Sequence, residues 1–236
     1  CISMHKVADE HAGWSATIEV KRTGKNAGEE KAVDFKGVGA VNNPLLLSER
    51  ISMLTEQLVQ LNTNNSSFST DIIQIRVESR DVPDLTLIDL PGIIRTTTVG
   101  QSQDVISQID ALLDYFMRQS KTIILAVIPA NQDIATVDVL ERAQRVDAMG
   151  SRTIGVLTKL DLVDQGAESE TLSVVNNVRK PLALGYVIVK NRNQNQLNSG
   201  LSLENALEDE ENFFSTHSIW SHVPASQRGV KSLSKK

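Results

Sequence analysis

Short apolar runs along the chain alternate with stretches whose apolar residues recur every three or four positions. Residues 13–20 alternate with the period of a strand. Residues 71–79 and 85–89 read as two more strands, and the turn at 81–84, which contains Pro83, predicts a hairpin between them. Residues 44–62 predict a helix with Ser48 as its N-cap and Ile51, Leu54, Leu58 and Leu61 on one face. Residues 103–120 carry two helical stripes, Val105, Ile109, Leu112 and Phe116 beside Ile106, Leu113 and Met117, the wide apolar face of a packed helix. A continuous apolar strand follows at 122–128, then a helix at 138–148 that stops near Gly150. The series continues with a strand at 152–157, a helix at 168–180, a strand at 186–189 and a closing helix at 201–214. Polar residues at 22–31 and 62–70 predict a turn and a loop. Apolar strands alternating with amphipathic helices predict an α/β fold with a doubly wound, mostly parallel sheet.

Composition narrows the picture only a little. Of 236 residues, 40% are hydrophobic and 22% charged, ordinary values for a globular protein. The net charge of −5 argues against nucleic acid as a partner. The longest clean apolar run, residues 123–128, is far short of the ~20 residues of a membrane helix. The single cysteine, Cys1, excludes an internal disulfide framework and fits a reducing, cytoplasmic setting. The first ten residues include Asp9, Glu10 and no apolar core, so they do not read as a signal peptide. A start at Cys1 without Met is expected of a fragment or a processed product.

Candidate chemistry lies at the strand ends, because ligands of an open α/β sheet bind beyond the carboxyl ends of its strands. The first end carries Asp89-Leu90-Pro91-Gly92, the second Pro129-Ala130-Asn131-Gln132-Asp133. The third carries Thr158-Lys159-Leu160-Asp161, the fourth Lys190-Asn191-Arg192-Asn193-Gln194. A carboxylate in T-K-x-D accepts from both N1–H and the exocyclic amine of guanine, and adenine offers neither donor in that arrangement. Asp161 therefore favours GTP or GDP over an adenine nucleotide. Lys159 lays its aliphatic stem along ring and ribose. Asp89 and Gly92 suit a carboxylate that reaches Mg²⁺ through water and a backbone N–H that senses a γ-phosphate. Asn191, Arg192 and Gln194 suit a lid on the base. Read singly, each motif has a plain alternative: Asp89 a turn or cap residue, T-K-x-D a solvated strand-ending turn, the Asn191 segment a polar loop, Asp133 a cap near Thr136 and Val137. Their order, each behind an apolar strand, favours the nucleotide reading.

One expected piece is absent from these residues. A phosphate cradle has the form G-x-x-x-x-G-K-[ST]. The Gly24-Lys25 pair has Glu19 five positions before its glycine and Asn26 after its lysine, so it is a turn. Ile93 follows Gly92 where a water-orienting Gln stands in small GTPases, so hydrolysis would use groups elsewhere.

Residues 78–92, with 129–133 and 152–162, resemble the dynamin superfamily of large GTPases, and 133–136 with 185–190 resemble its Mx branch. The resemblance runs from about residue 71 to 223. It implies a sheet of the P-loop GTPase type, here lacking the first strand and the P-loop. It implies a GTPase domain over residues 1–222 and, at 223–236, the start of a connection to a helical bundle. By position, it makes Asp89 and Gly92 the switch motif, Thr158, Lys159 and Asp161 the guanine-reading motif, and Asn191, Arg192 and Gln194 the base lid. Asp133 falls on the loop that reaches across a dimer of GTPase domains. GTP, GDP and Mg²⁺ are the implied ligands. Self-association, with membrane or cytoskeletal (microtubule) contact through regions outside this chain, is the implied partnership, and the location is cytoplasmic or peripheral on membranes. The catalytic residues of the family lie in the P-loop and have no counterpart here. The competing expectation is a non-catalytic assembly scaffold on the same fold.

Overall fold

The computed structural model describes residues 1–8, 13–23, 35–61, 71–92 and 104–236. The turn expected around Gly24 and Lys25, the loop at 62–70 and Ile93 lie outside the described residues. The chain divides into two compact units, Cys1–Asp114 and Tyr115–Lys236.

In the first unit β1 (Ile2–Lys6), β2 (Ser15–Lys21), β3 (Gly39–Val41), β4 (Ile72–Ser79) and β5 (Leu85–Leu87) form one sheet in the order β3-β2-β4-β1-β5. Helix α1 (Leu45–Gln60) buries Leu54 and Leu58 against Ala16, Ile18, Val41, Ile75 and Val77. Pro44 takes the N-cap position, and Ser48 lies inside the first turn. The φ of −54° at Pro44 already suits a helix, so the chain enters one turn earlier than Ser48 suggests.

The hairpin between β4 and β5 does not form. β1 lies between them, parallel to β4 (Ile2 opposite Ile75) and antiparallel to β5 (Met4 opposite Leu85). The turn after β4 therefore spans two strand spacings, about 10 Å. Asp84 anchors it by accepting from the backbone N–H of Lys6 at 2.9 Å. β1 reads poorly in sequence because its alternation, Ile2 and Met4 against Ser3 and His5, is only four residues long and ends at Lys6.

Helix α2 (Asp104–Met117) buries Ile109, Leu113 and Met117, spaced by four. In the second unit β6 (Ile124–Pro129), β7 (Thr153–Thr158) and β8 (Tyr186–Ile188) form a parallel sheet in that order, with helices between successive strands. The connections carry α3 (Asp138–Val146) and α4 (Glu168–Val175). After β8 come α5 (Gln194–Asn198), α6 (Leu203–Thr216) and a last turn, α7 (Val230–Leu233). α4 ends earlier than its sequence predicts. Asn177 and Lys180 adopt left-handed backbone, and the Asn177 side chain both donates to the carbonyl and accepts from the N–H of Leu182.

β7 is buried at every position. Its Leu157 joins Ala126, Ile128, Ile188, Phe214 and Trp220 on one side, and Ile154 and Val156 join Val187 and Val189 on the other. β6 behaves differently: Ile124, Ala126 and Ile128 are buried, while Leu125 and Val127 stand exposed. Its continuous apolar run is therefore only half used by the described core.

The amino end of β7 is fixed by a buried carboxylate. Asp147 accepts from Ser151 N (3.0 Å), Ser151 Oγ (2.9 Å), Arg152 N (3.0 Å) and Thr153 Oγ1 (2.6 Å). The Arg152 guanidinium then donates to the carbonyls of Met117, Thr122 and Val146. Burial works to raise the Asp147 pKa, but the bonds from Thr153, Arg152 and Ser151 outweigh it and lower it to about 2. A carboxyl lowered from 3.8 stabilises the fold fully above pH 4, and that contribution disappears as pH falls toward 2. Asp147→Ala strands a buried hydroxyl and two backbone donors, at a cost on the order of 3 kcal/mol. Urea melts should show that gap at pH 6 and show it closing between pH 4 and 2. A gap independent of pH would contradict this account.

Candidate functional site

Parallel pairing brings three of the strand ends to one edge. Pro129 lies opposite Thr158, and Val189 N donates to Leu157 O at 2.8 Å, so the segments after β6, β7 and β8 leave the sheet side by side. Ala130 N donates to Thr158 O at 2.8 Å, and Thr158 Oγ1 donates to Ile128 O at 3.4 Å. Thr158 is thus a buried strand-end residue that joins the first two exits.

Lys159 makes the decisive turn. Its backbone is left-handed, φ 58° and ψ 40°, a conformation that costs a non-glycine residue about 1 kcal/mol or more. The turn drops Leu160 into the core and leaves Lys159 and Asp161 exposed on either side of it. A 3₁₀ turn, Leu160–Leu162, holds the arrangement, with Leu162 N donating to Lys159 O at 3.0 Å. A cation and a carboxylate thus project from one strand end, set apart by a buried anchor.

The segment after β8 is more ordered than a polar loop. Asn193 caps α5 in a reciprocal box: its side chain accepts from Gln196 N at 2.9 Å, and Gln196 Oε1 accepts from Asn193 N at 3.0 Å. The N-x-x-Q spacing that signals this box is visible in the sequence, although the segment reads there as a lid or a polar loop. Gln194 donates to Asn198 Oδ1 at 2.9 Å, and Arg192 Nη1 donates to Leu201 O at 2.7 Å. Gln194 therefore sits in the first turn of a helix, and Arg192 has one donor engaged and others to spare. Asn191 is exposed beside them.

Asp133 caps the 3₁₀ turn Ile134–Thr136, accepting from Ala135 N at 2.9 Å. Its carboxylate is exposed, with Arg179 Nη2 at 3.9 Å, and Arg179 Nη1 lies as far from Glu170. A cavity of about 150 Å³ opens here, lined by Ala130, Asn131, Asp133, Glu170, Thr171 and Arg179 among others. Its lining includes none of Lys159, Asp161 and Asn191.

Asp89 and Gly92 belong to the first unit. β5 is its edge strand, Asp89 follows it exposed, and a Cβ on Gly92 would meet nothing within 4 Å. Among the described residues no group of three or more His, Cys, Asp or Glu is placed to hold a metal. A lone exposed carboxylate fits the water-mediated share of a Mg²⁺ site, since that ion keeps several waters and takes its other oxygens from phosphates. It does not make a complete protein-held site.

Comparison with known proteins follows the same lines. Residues 16–160 match the model of the Dynamin family, and residues 170–236 match the Dynamin central region. An Mx interferon-induced GTP-binding protein of Dicentrarchus labrax is 41% identical over 200 residues, 85% of this chain and 31% of that protein. The Mx1 protein of Mus musculus is 49% identical over 153 residues, 65% of this chain and 24% of its own length. The Mx2 protein of Homo sapiens is 46% identical over 154 residues, again 65% of this chain and 22% of its own. The chain thus spans about a third or less of each of these relatives. On these matches, and on the motifs that end its strands, the chain belongs to the dynamin family, on its Mx branch.

Proposed function

We propose that this chain carries the base-reading and switch portion of a GTPase. A guanine nucleotide sits at the carboxyl edge of β6, β7 and β8. Asp161 accepts from the base, Lys159 lies along ring and ribose, and Asn191, Arg192 and Gln194 cover it. Thr158 holds the strand end beneath. Asp89 and Gly92 answer the γ-phosphate, Asp89 through water on Mg²⁺, which when bound neutralises phosphate charge. Self-association runs through the loop of Asp133. A cytoplasmic setting, with any membrane or cytoskeletal contact made by other parts of the protein, accompanies this reading.

The observation that supports it best is the left-handed Lys159, which aims Lys159 and Asp161 outward from one strand end beside the exit of Asn191. Backbone strain at a strand-end loop is the kind retained where a site requires it. The second reading is a scaffold that keeps the fold without turnover. A Mg²⁺-dependent turnover assay separates the two. The 236 residues alone are expected to hydrolyse GTP slowly or not at all, and robust saturable turnover by them would overturn that. A longer natural form with a phosphate cradle upstream of Cys1 should turn over GTP, whereas unrelated upstream sequence would establish the scaffold.

A further inference from the structure

Glu210 is buried in the middle of α6, on the inward stripe formed with Ala206, Leu207, Phe213 and Phe214. A carboxylate there requires partners, and its two oxygens find backbone donors on different segments. Oε1 accepts from Lys190 N at 2.9 Å, immediately before Asn191. Oε2 accepts from Val230 N at 2.9 Å, the first residue of α7. The second segment also lies along β8: Arg228 bridges Ile188 in parallel register, and Gly229 N donates to Ile188 O at 2.8 Å. Gly229 has φ +83°, and a Cβ there would lie 3.3 Å from Glu210 Oε2, so a glycine suits this close approach. The neighbouring Asp209 accepts from Gln196 at 3.0 Å, which ties α5 to the same helix.

We infer that Glu210 is a positioning residue that couples the Asn191–Arg192 segment to the exit segment 228–230. Placement of the C-terminal segment and occupancy of the base loop then bias one another through a single carboxylate. The nucleotide part rests on the function proposed above; the coupling itself does not. Both segments hang on the same side chain, so releasing one frees Glu210 to shift and loosens the other.

Val230→Pro tests this. It removes the N–H from which Oε2 accepts, sets the ring Cδ where that hydrogen stood so that Glu210 must give way, and trims a side chain packed against Ile154, Val156, Val187 and Val189. It does so at a first helical position where proline is tolerated, after a glycine whose ψ of 155° suits a following proline. Amide exchange by NMR on the whole chain is the readout. The Lys190 amide should exchange about 5-fold faster or more in Val230→Pro than in wild type. In a Glu210→Gln background, where one of the two bonds is already lost, Val230→Pro should add nothing. A Lys190 amide indifferent to Val230→Pro overturns the coupling. The same spectra with millimolar GDP separate the two ideas. GDP that shifts residues 191–193 and slows exchange at Val230 in wild type, but not in Glu210→Gln, supports the proposal. GDP that shifts 191–193 without reaching Val230 overturns the coupling and leaves the base reading intact. GDP that leaves 191–193 unmoved overturns the base reading and the nucleotide part of the proposal with it.

Discussion

Gly155→Ala is expected to destabilise the second unit by about 3 kcal/mol or more, the upper range for overpacking a core. Gly155 lies mid-strand in β7, directly opposite Tyr186 in β8. A Cβ at position 155 would lie 2.1 Å from Tyr186 Cδ1 and 2.2 Å from Cε1, well inside contact distance. The ring has nowhere to go. Tyr186 is fully buried, and its hydroxyl donates to the carbonyl of Lys180, itself in left-handed backbone. Burial pushes the pKa of that phenol up to about 12, so it remains a donor at any ordinary pH. Against a total stability of roughly 5–15 kcal/mol, the loss is large. Denaturant melts measure it directly, and the double variant Gly155→Ala with Tyr186→Leu should recover part of it. Two variants that simply add would show that the clash is not the cause.

Asp161→Asn should produce the largest change in ligand choice. In the site proposed above, the carboxylate of Asp161 accepts from two donors on guanine, each bond to a charged group worth about 1.5–3 kcal/mol. Asparagine keeps one acceptor and presents an amine where the second oxygen stood. Affinity for GDP should fall about 10²-fold or more. Xanthine carries a carbonyl where guanine carries its exocyclic amine, so the new amine gains a partner there. The preference should therefore turn from GDP toward xanthosine diphosphate. Competition binding with the two nucleotides measures the ratio, and a variant that still prefers guanine would remove Asp161 from the base site.

The elements that dominate this architecture were legible because their patterns are long or unbroken. The stripes of α2 and the buried run of β7 each name one structure. β1 was not legible, since its alternation of Ile2 and Met4 with Ser3 and His5 lasts only four residues before Lys6 breaks it, and without it β4 and β5 look like neighbours. Nor could β6 be read as half exposed, because an apolar run has the same letters whether one or both faces are covered. At the site, the residue types at the strand ends were readable from spacing, but the left-handed backbone at Lys159 was not, for lysine carries no local signal for it. Glu210 escaped because helices are expected to carry charge; its cue was position, a carboxylate on the stripe otherwise filled by Ala206, Leu207, Phe213 and Phe214.

The segment from Lys190 to Ser199 contains no glycine, is boxed at Asn193 and is tied to α6 by Gln196 and Lys190. Its conformational entropy, about 1–2 kcal/mol for each backbone residue fixed, is lost when the chain folds, not when a ligand arrives. A ligand at this edge meets a surface already in shape, and the ordering penalty that weakens binding to loose loops does not apply. Discrimination between ligands then shows in how slowly the right one leaves, while all of them arrive at similar rates.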